Sequence, residues 1–293
     1  MANDRWGEPG EPWGLTRWGL HPMACPLLDA ILFVMSLKAP ILGLLVLAAA
    51  LSRPWAAAIP VHLSEGSVHG FVVLRTVEGA QLAQGDLIQV ARGGAVESHM
   101  ILRFDDGSLF HESVVFTQTG VFTMQSYRSL QRGPSFPEDT EISLERATGA
   151  YRVRTRDHKG GRESVLSGSL RLPGDTYNGM VFVVGKNLPK GTGGTVHFVA
   201  FTPQPRIIQL EITPANEQKV LVGKLEKAAV HYVFRPRPGA WLKIFAALLG
   251  RSPPDLHAWF VMDEVPAFVR FEGPLYMQGP VWRIQLTSPR WLD

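Results

Sequence analysis

Residues 96–129 read VESHMILRF (Val96–Phe104), DDGS (Asp105–Ser108), LFHESVVFT (Leu109–Thr117), QTG (Gln118–Gly120) and VFTMQSYRS (Val121–Ser129). In each nine-residue run the apolar side chains recur at roughly every second position. That is the period of a strand with one face on a core and one toward water. Asp105-Asp106-Gly107 and Thr119-Gly120 supply the residues that tight hairpin turns require. The stretch therefore predicts three antiparallel strands joined by short turns.

The same pattern extends in both directions. Upstream, Val68–Thr76 is a β-branched and aromatic run, and Leu87–Val90 is a second one followed by Gly93-Gly94. Downstream, Gly133-Pro134-Ser135-Phe136-Pro137 interrupts the strands, because proline lacks the donor that a central strand uses. Strands are expected to resume at Glu141–Glu145, Tyr151–Thr155, Val165–Leu172, Thr195–Phe201, Ile207–Ile212, Val220–Leu225 and Ala229–Phe234. Three more close the chain at His257–Met262, Ala267–Glu272 and Val281–Thr287.

Two helices are expected among them. Asp175 can cap a helix over Thr176–Lys186, with Met180, Val181 and Val184 on one face. Ala240–Leu249 is strongly apolar, Gly250 ends it, and Pro253-Pro254 prevents its restart. The expected fold is mainly β: a large curved antiparallel sheet or partly open β-barrel with one or two covering helices.

Composition narrows the function classes. The 293 residues carry 45% hydrophobic and 19% charged side chains with a net charge of +3. This is a globular composition rather than a disordered one. With no dense Lys/Arg run, no nucleic acid is expected as a partner.

The N-terminal fifth reads as an address. Lys38 provides a positive charge, Ala39–Leu51 is an uninterrupted apolar run, and Ala56-Ala57-Ala58 matches the small-x-small pattern of a cleavage site. This is the three-part layout of a secretory signal peptide beginning at Met35. The expected organisation is a leader over 1–34 whose translation is in doubt, a signal peptide over 35–58, and one β-rich envelope domain over 59–293. The address is periplasmic or secreted; the alternative is an inner-membrane anchor through 39–51, although 13 residues are short of the ~20 needed to span. Cys25, the single cysteine, precedes the cut, which leaves a thiol-free domain compatible with an oxidising compartment.

An export signal followed by a long antiparallel meander resembles the half-barrel fold of the lipoprotein-localisation factors of bacterial envelopes. It resembles more closely the uncharacterised periplasmic families that share this architecture. The closing pattern Pro266-Ala267-Phe268-Val269-Arg270-Phe271-Glu272-Gly273 reads like their terminal strands. Asp106-Gly107-Ser108, Gly133-Pro134-Ser135-Phe136-Pro137 and Gly279-Pro280-Val281-Trp282-Arg283 look like landmarks of one subgroup. The resemblance implies a concave apolar face that holds acyl chains, a function of shape rather than of a motif.

Motifs that carry catalysis are not legible. The nine histidines form neither His-x-His nor His-Glu-x-x-His, and His111 and Glu112 point to opposite faces of a strand. Gly-x-Ser-x-Gly is absent, and Gly191-Thr192-Gly193-Gly194 precedes a strand and lacks the Lys-Ser/Thr of a phosphate loop. Asp105-Asp106 reads as a turn. No metal and no cofactor is expected.

The apolar content points to ligand binding instead. Trp241, Phe245 and Leu249 can share one helical face, Trp259 follows soon after, and Asp175 and Asn178 can offer polar groups at a pocket edge. The expectation is a binding or carrier protein for a lipid or other apolar ligand. The alternatives are an envelope hydrolase, or an assembly factor that binds an envelope protein partner through a strand edge.

Overall fold

The computed structural model describes residues 58–201, 204–222, 224–237 and 254–287. The chain forms fourteen strands: β1 Val68–Thr76, β2 Gln81–Arg92, β3 Ala95–Phe104, β4 Leu109–Thr119, β5 Val121–Arg132, β6 Asp139–Glu145, β7 Ala150–Arg156, β8 Glu163–Ser169, β9 Gly194–Ala200, β10 Arg206–Val222, β11 Leu225–Pro236, β12 Leu256–Val261, β13 Ala267–Gly273 and β14 Trp282–Thr287. They make one antiparallel sheet in the order β8-β7-β6-β5-β4-β3-β2-β1-β14-β13-β12-β11-β10-β9. β8 and β9 end the sheet and do not pair, so the sheet is not closed. The expected mainly-β, partly open architecture is the one observed.

Alternation decides which face is inside. Val96, Met100, Leu102 and Phe104 of β3 are buried together with Phe110, Val114 and Phe116 of β4. One contiguous core takes in these residues, Val72 and Leu74 of β1, Phe234 of β11, Phe260 of β12 and Ile284 of β14. The sheet curls until distant strands meet: the Tyr127 ring of β5 stacks on Phe201, just beyond β9, at 6.1 Å.

The connection between β8 and β9 fills the hollow. Tyr177, Met180, Val183, Val184 and Leu188 all enter the core. A helix forms here, α1, but it spans Val181–Asn187, and Met180 occupies the N-cap without a side-chain hydrogen bond. The helix expected over Thr176–Lys186 is thus shortened at its start, and Asp175 does not cap it. Tertiary contacts account for the difference. His197 N–H donates to the Asp175 carbonyl at 3.0 Å and Tyr177 N–H donates to the His197 carbonyl at 2.9 Å, so this stretch runs parallel to β9 as a short bridge. Gly179 then takes φ of 70°, a left-handed conformation that no helix continues through.

A second correction concerns Val220–Leu225. Instead of one strand, the chain reverses between Val222 and Leu225, which pair across the β10–β11 hairpin. The helix expected over Ala240–Leu249, the leader 1–34 and the signal peptide 35–58 apart from Ala58 lie outside the described residues. No helix among the described residues is long and apolar enough to cross a membrane.

A strap over residues 59–66 ties the core connection to the sheet. Ile59 N–H donates to the Tyr177 hydroxyl at 2.8 Å. Asn187 Oδ1 accepts from His62 and Leu63 N–H at 3.0 and 2.7 Å. Lys186 Nζ pairs with Glu65 at 2.7 Å, with the two side chains only 12% and 4% exposed.

Candidate functional site

The inner face, the Gly179–Phe182 turn and the Pro274–Leu275 loop leave a cavity of about 110 Å³, open on one side. Met100, Phe110 and Glu112 line it from β3 and β4, Phe271 and Ile284 from β13 and β14, and Val181 and Phe182 from α1. Alternation places every strand residue of this set on the inward face. Phe182 is fixed by stacking on Phe268 at 3.9 Å and by an edge contact with Phe271 at 6.0 Å. The turn seats closely on the sheet because residue 179 is glycine: a Cβ there would stand 3.2 Å from the Tyr127 ring and from Val114.

Glu112 is the one ionisable side chain in the lining. Tyr127, diagonal to it on β5, donates its hydroxyl proton to Glu112 Oε1 at 2.9 Å. Burial pushes the Glu112 carboxyl above the ordinary carboxylate range, against the opposing pull of the Tyr127 hydrogen bond. Burial, together with the carboxyl beside it, raises the Tyr127 hydroxyl well above its ordinary value. Glu112 keeps some surface, but it lines the cavity, so that surface opens into a largely apolar space. The arrangement can hold an apolar fragment and offer it one hydrogen bond.

Of the residues singled out from sequence, the described ones, Asp175, Asn178 and Trp259, do not line this cavity. Asp175 is buried and accepts from His197 Nδ1 at 2.9 Å. Asn178 clamps the Val199 backbone, donating to its carbonyl at 2.9 Å and accepting from its N–H at 2.8 Å. Trp259 packs with Ala229 and Val261 in a cluster separate from the core. Its ring lies between His231, parallel at 4.2 Å, and the Arg270 guanidinium at 4.1 Å, and its indole N–H donates to Gln218 at 3.0 Å. The structure does not bring Trp259 together with Asp175 and Asn178. Trp241, Phe245 and Leu249 lie outside the described residues.

The histidines form pairs rather than clusters. His99 and His111 meet across β3 and β4 at 3.1 Å, and His231 and His257 across β11 and β12 at 2.9 Å. Among the described residues no group of three acidic, His or Cys side chains is placed to hold a metal ion. Burial, with His257 and Arg270 nearby, lowers His231 to about 4.

A larger hollow of about 740 Å³ lies on the outer face over β3–β7. It is lined by Arg128, Arg152, Arg154, Glu97, Glu141 and Glu145 among serines and the His99–His111 pair. Several of its charges pair locally, Arg154 with Glu163 at 2.8 Å and Arg128 with Glu145 at 3.8 Å. Its largely polar lining is what the solvent face of an antiparallel sheet presents.

The three sequence landmarks assemble into one structure. Ser135 Oγ donates to Asp106 Oδ2 at 2.7 Å and Ser135 N–H to Ser108 Oγ at 2.9 Å. Phe136 then inserts its ring edge-on against Phe104 at 5.4 Å, Tyr276 at 5.7 Å and Trp282 at 6.5 Å. Gln131 Nε2 donates to the Leu275 carbonyl at 3.2 Å, which ties β5 to the loop that also lines the cavity.

Comparison with protein-family models, with curated proteins and with solved structures returns no match for this chain. The sequence reading meets Glu112 only as the neighbour of His111 on the opposite strand face and does not place it in a site, although a signal is present: in FHESVVF it is the charged residue at an inward position, between Phe110 and Val114.

Proposed function

We propose that the protein is an exported binding or carrier protein that holds one end of an apolar ligand between the Gly179–Phe182 turn and the inner face of the sheet. The observation that carries this reading is the partly open apolar cavity with a single polar side chain in its lining, Glu112, held by the Tyr127 hydroxyl. Its volume is about four times the ~30 Å³ that one water takes in the liquid. It is well below the ~300–1,000 Å³ of a pocket that encloses a whole drug-sized molecule. The site therefore suits a chain end or a single ring, with the rest of the ligand leaving through the open side.

Binding is favoured over hydrolysis because, beside Glu112, the lining holds among the described residues no Ser, Thr, Cys, His or Lys side chain to serve as nucleophile or second base. Glu112 has Tyr127 as its hydrogen-bond partner among the described residues, and the rest of the lining is apolar apart from backbone. Export rests on the targeting pattern itself: the positive Lys38, the apolar run Ala39–Leu51 and the small-x-small stretch Ala56–Ala58. The apolar interior is also in keeping with the resemblance to half-barrel carriers.

The test is extraction of the purified protein into organic solvent, followed by mass spectrometry. An apolar compound at stoichiometric yield is expected. An empty protein that also fails to take up small apolar probes would overturn the reading.

A further inference from the structure

The polar pair defines the chemistry of the ligand. Glu112 Oε1 is occupied by the Tyr127 hydroxyl. Among the described residues Oε2 has no hydrogen-bond partner, and the space that Glu112 lines contains no Lys or Arg side chain. An unbalanced carboxylate beside Phe110, Phe182, Phe271 and Ile284 would be costly, because burial penalises the charged form unless a cation or several donors offset it. Tyr127 is one neutral donor and does not offset a full charge. The upward displacement of the Glu112 carboxyl by burial agrees with this geometry. A neutral carboxyl with one oxygen occupied presents its own O–H to the cavity, and an O–H there calls for an acceptor.

We infer, on the binding reading above, that the cavity takes the carbonyl end of a neutral apolar molecule, an ester or ketone, with the Glu112 O–H donating to the carbonyl oxygen. A free fatty acid is disfavoured, since its carboxylate would bring an unbalanced charge into the same apolar space. An alkane fills the space and leaves the donor without a partner. An amine is the competing choice, because it would take the proton and form an ion pair.

Binding of four probes sized to the cavity tests this: 2-pentanone, pentane, butylamine and butyrate, each titrated into the full chain and followed by ligand-observed NMR. The expected order places 2-pentanone about fivefold tighter than pentane, the net contribution of one neutral hydrogen bond. Glu112→Leu is expected to erase that preference while pentane still binds. Glu112→Gln, whose amide also donates, is expected to keep it. If pentane and 2-pentanone bind equally to the unsubstituted protein, or butylamine binds tightest, the carbonyl assignment falls and the apolar-binding reading stands. If none of the four binds, both fall.

Discussion

Glu112, which lines the apolar cavity, and Tyr127 on the neighbouring strand face each other diagonally across β4 and β5, hydroxyl to carboxyl at 2.9 Å. The pair has a consequence for stability as well as for binding. The folded carboxyl titrates above the unfolded value of about 4.3. The native state thus holds more protons than the unfolded state between that value and the raised one. Stability from this group is present at low pH and is lost as pH rises through that window. Glu112→Gln removes the titration, so thermal unfolding of the variant should lose less stability on raising the pH from 4 to 8 than the parent does. An identical pH dependence would refute the burial of an ionisable carboxyl at this position.

His231 acts in the opposite direction. Its folded value of about 4 lies below the unfolded value of about 6.5. The unfolded state then binds the extra proton, and stability falls as pH drops from about 6.5 toward 4. The groups around it are His257, Arg270 and Glu272. In the overlap of the two windows the effects partly cancel, so each must be read from its own variant. His231→Phe keeps a ring against Trp259 and should flatten the acid limb of a Tm–pH curve. An unchanged acid limb would show that the limb arises elsewhere.

The Lys186–Glu65 pair should behave as a buried ion pair. Lys186→Met leaves the Glu65 carboxylate buried beside α1 and is expected to cost about 3–5 kcal/mol, because an uncompensated charge stays in place. Adding Glu65→Leu removes that charge, and the double variant should recover most of the loss. Urea unfolding of the three proteins checks this. Additive losses would mean that the pair is solvated.

Phe136→Ala tests the assembly of the three landmarks. The ring is 3% exposed and touches Phe104, Tyr276 and Trp282. Its truncation is expected to cost about 3–5 kcal/mol. Denaturant titration gives this number directly. A cost below about 1 kcal/mol would show that the loop can collapse onto the vacated space.

Most of the strand plan was legible because period-2 alternation is local. The runs around the two central hairpins differ from β3, β4 and β5 only at their ends. What failed was decided by contacts distant in sequence. The Asp175–Tyr177 stretch has helical spacing downstream, yet its backbone is claimed by His197, some twenty residues later. The facing of Trp259 is a second case, because β12 is apolar on both faces. Ala258 and Phe260 enter the main core while Trp259 and Val261 join the cluster behind it, and a continuous apolar run does not say which face is which. Within the cavity, Phe110, Phe271 and Ile284 carry the inward period, but nothing local tells that strands β4 and β13 will enclose one space.

The sheet ends at β8 and β9 without joining them. In a sealed barrel the girth is fixed by hydrogen-bond ladders, and widening it breaks backbone bonds. Here the β8–β9 connection spans the gap: its Asp175 and Tyr177 backbones bond to His197 of β9, its Asn178 amide grips Val199, and the Arg146 guanidinium from the β6–β7 turn reaches its Pro173 and Thr176 carbonyls. The opening of this sheet is therefore set by one connecting segment and the core residues it carries, not by a ladder between the two edge strands.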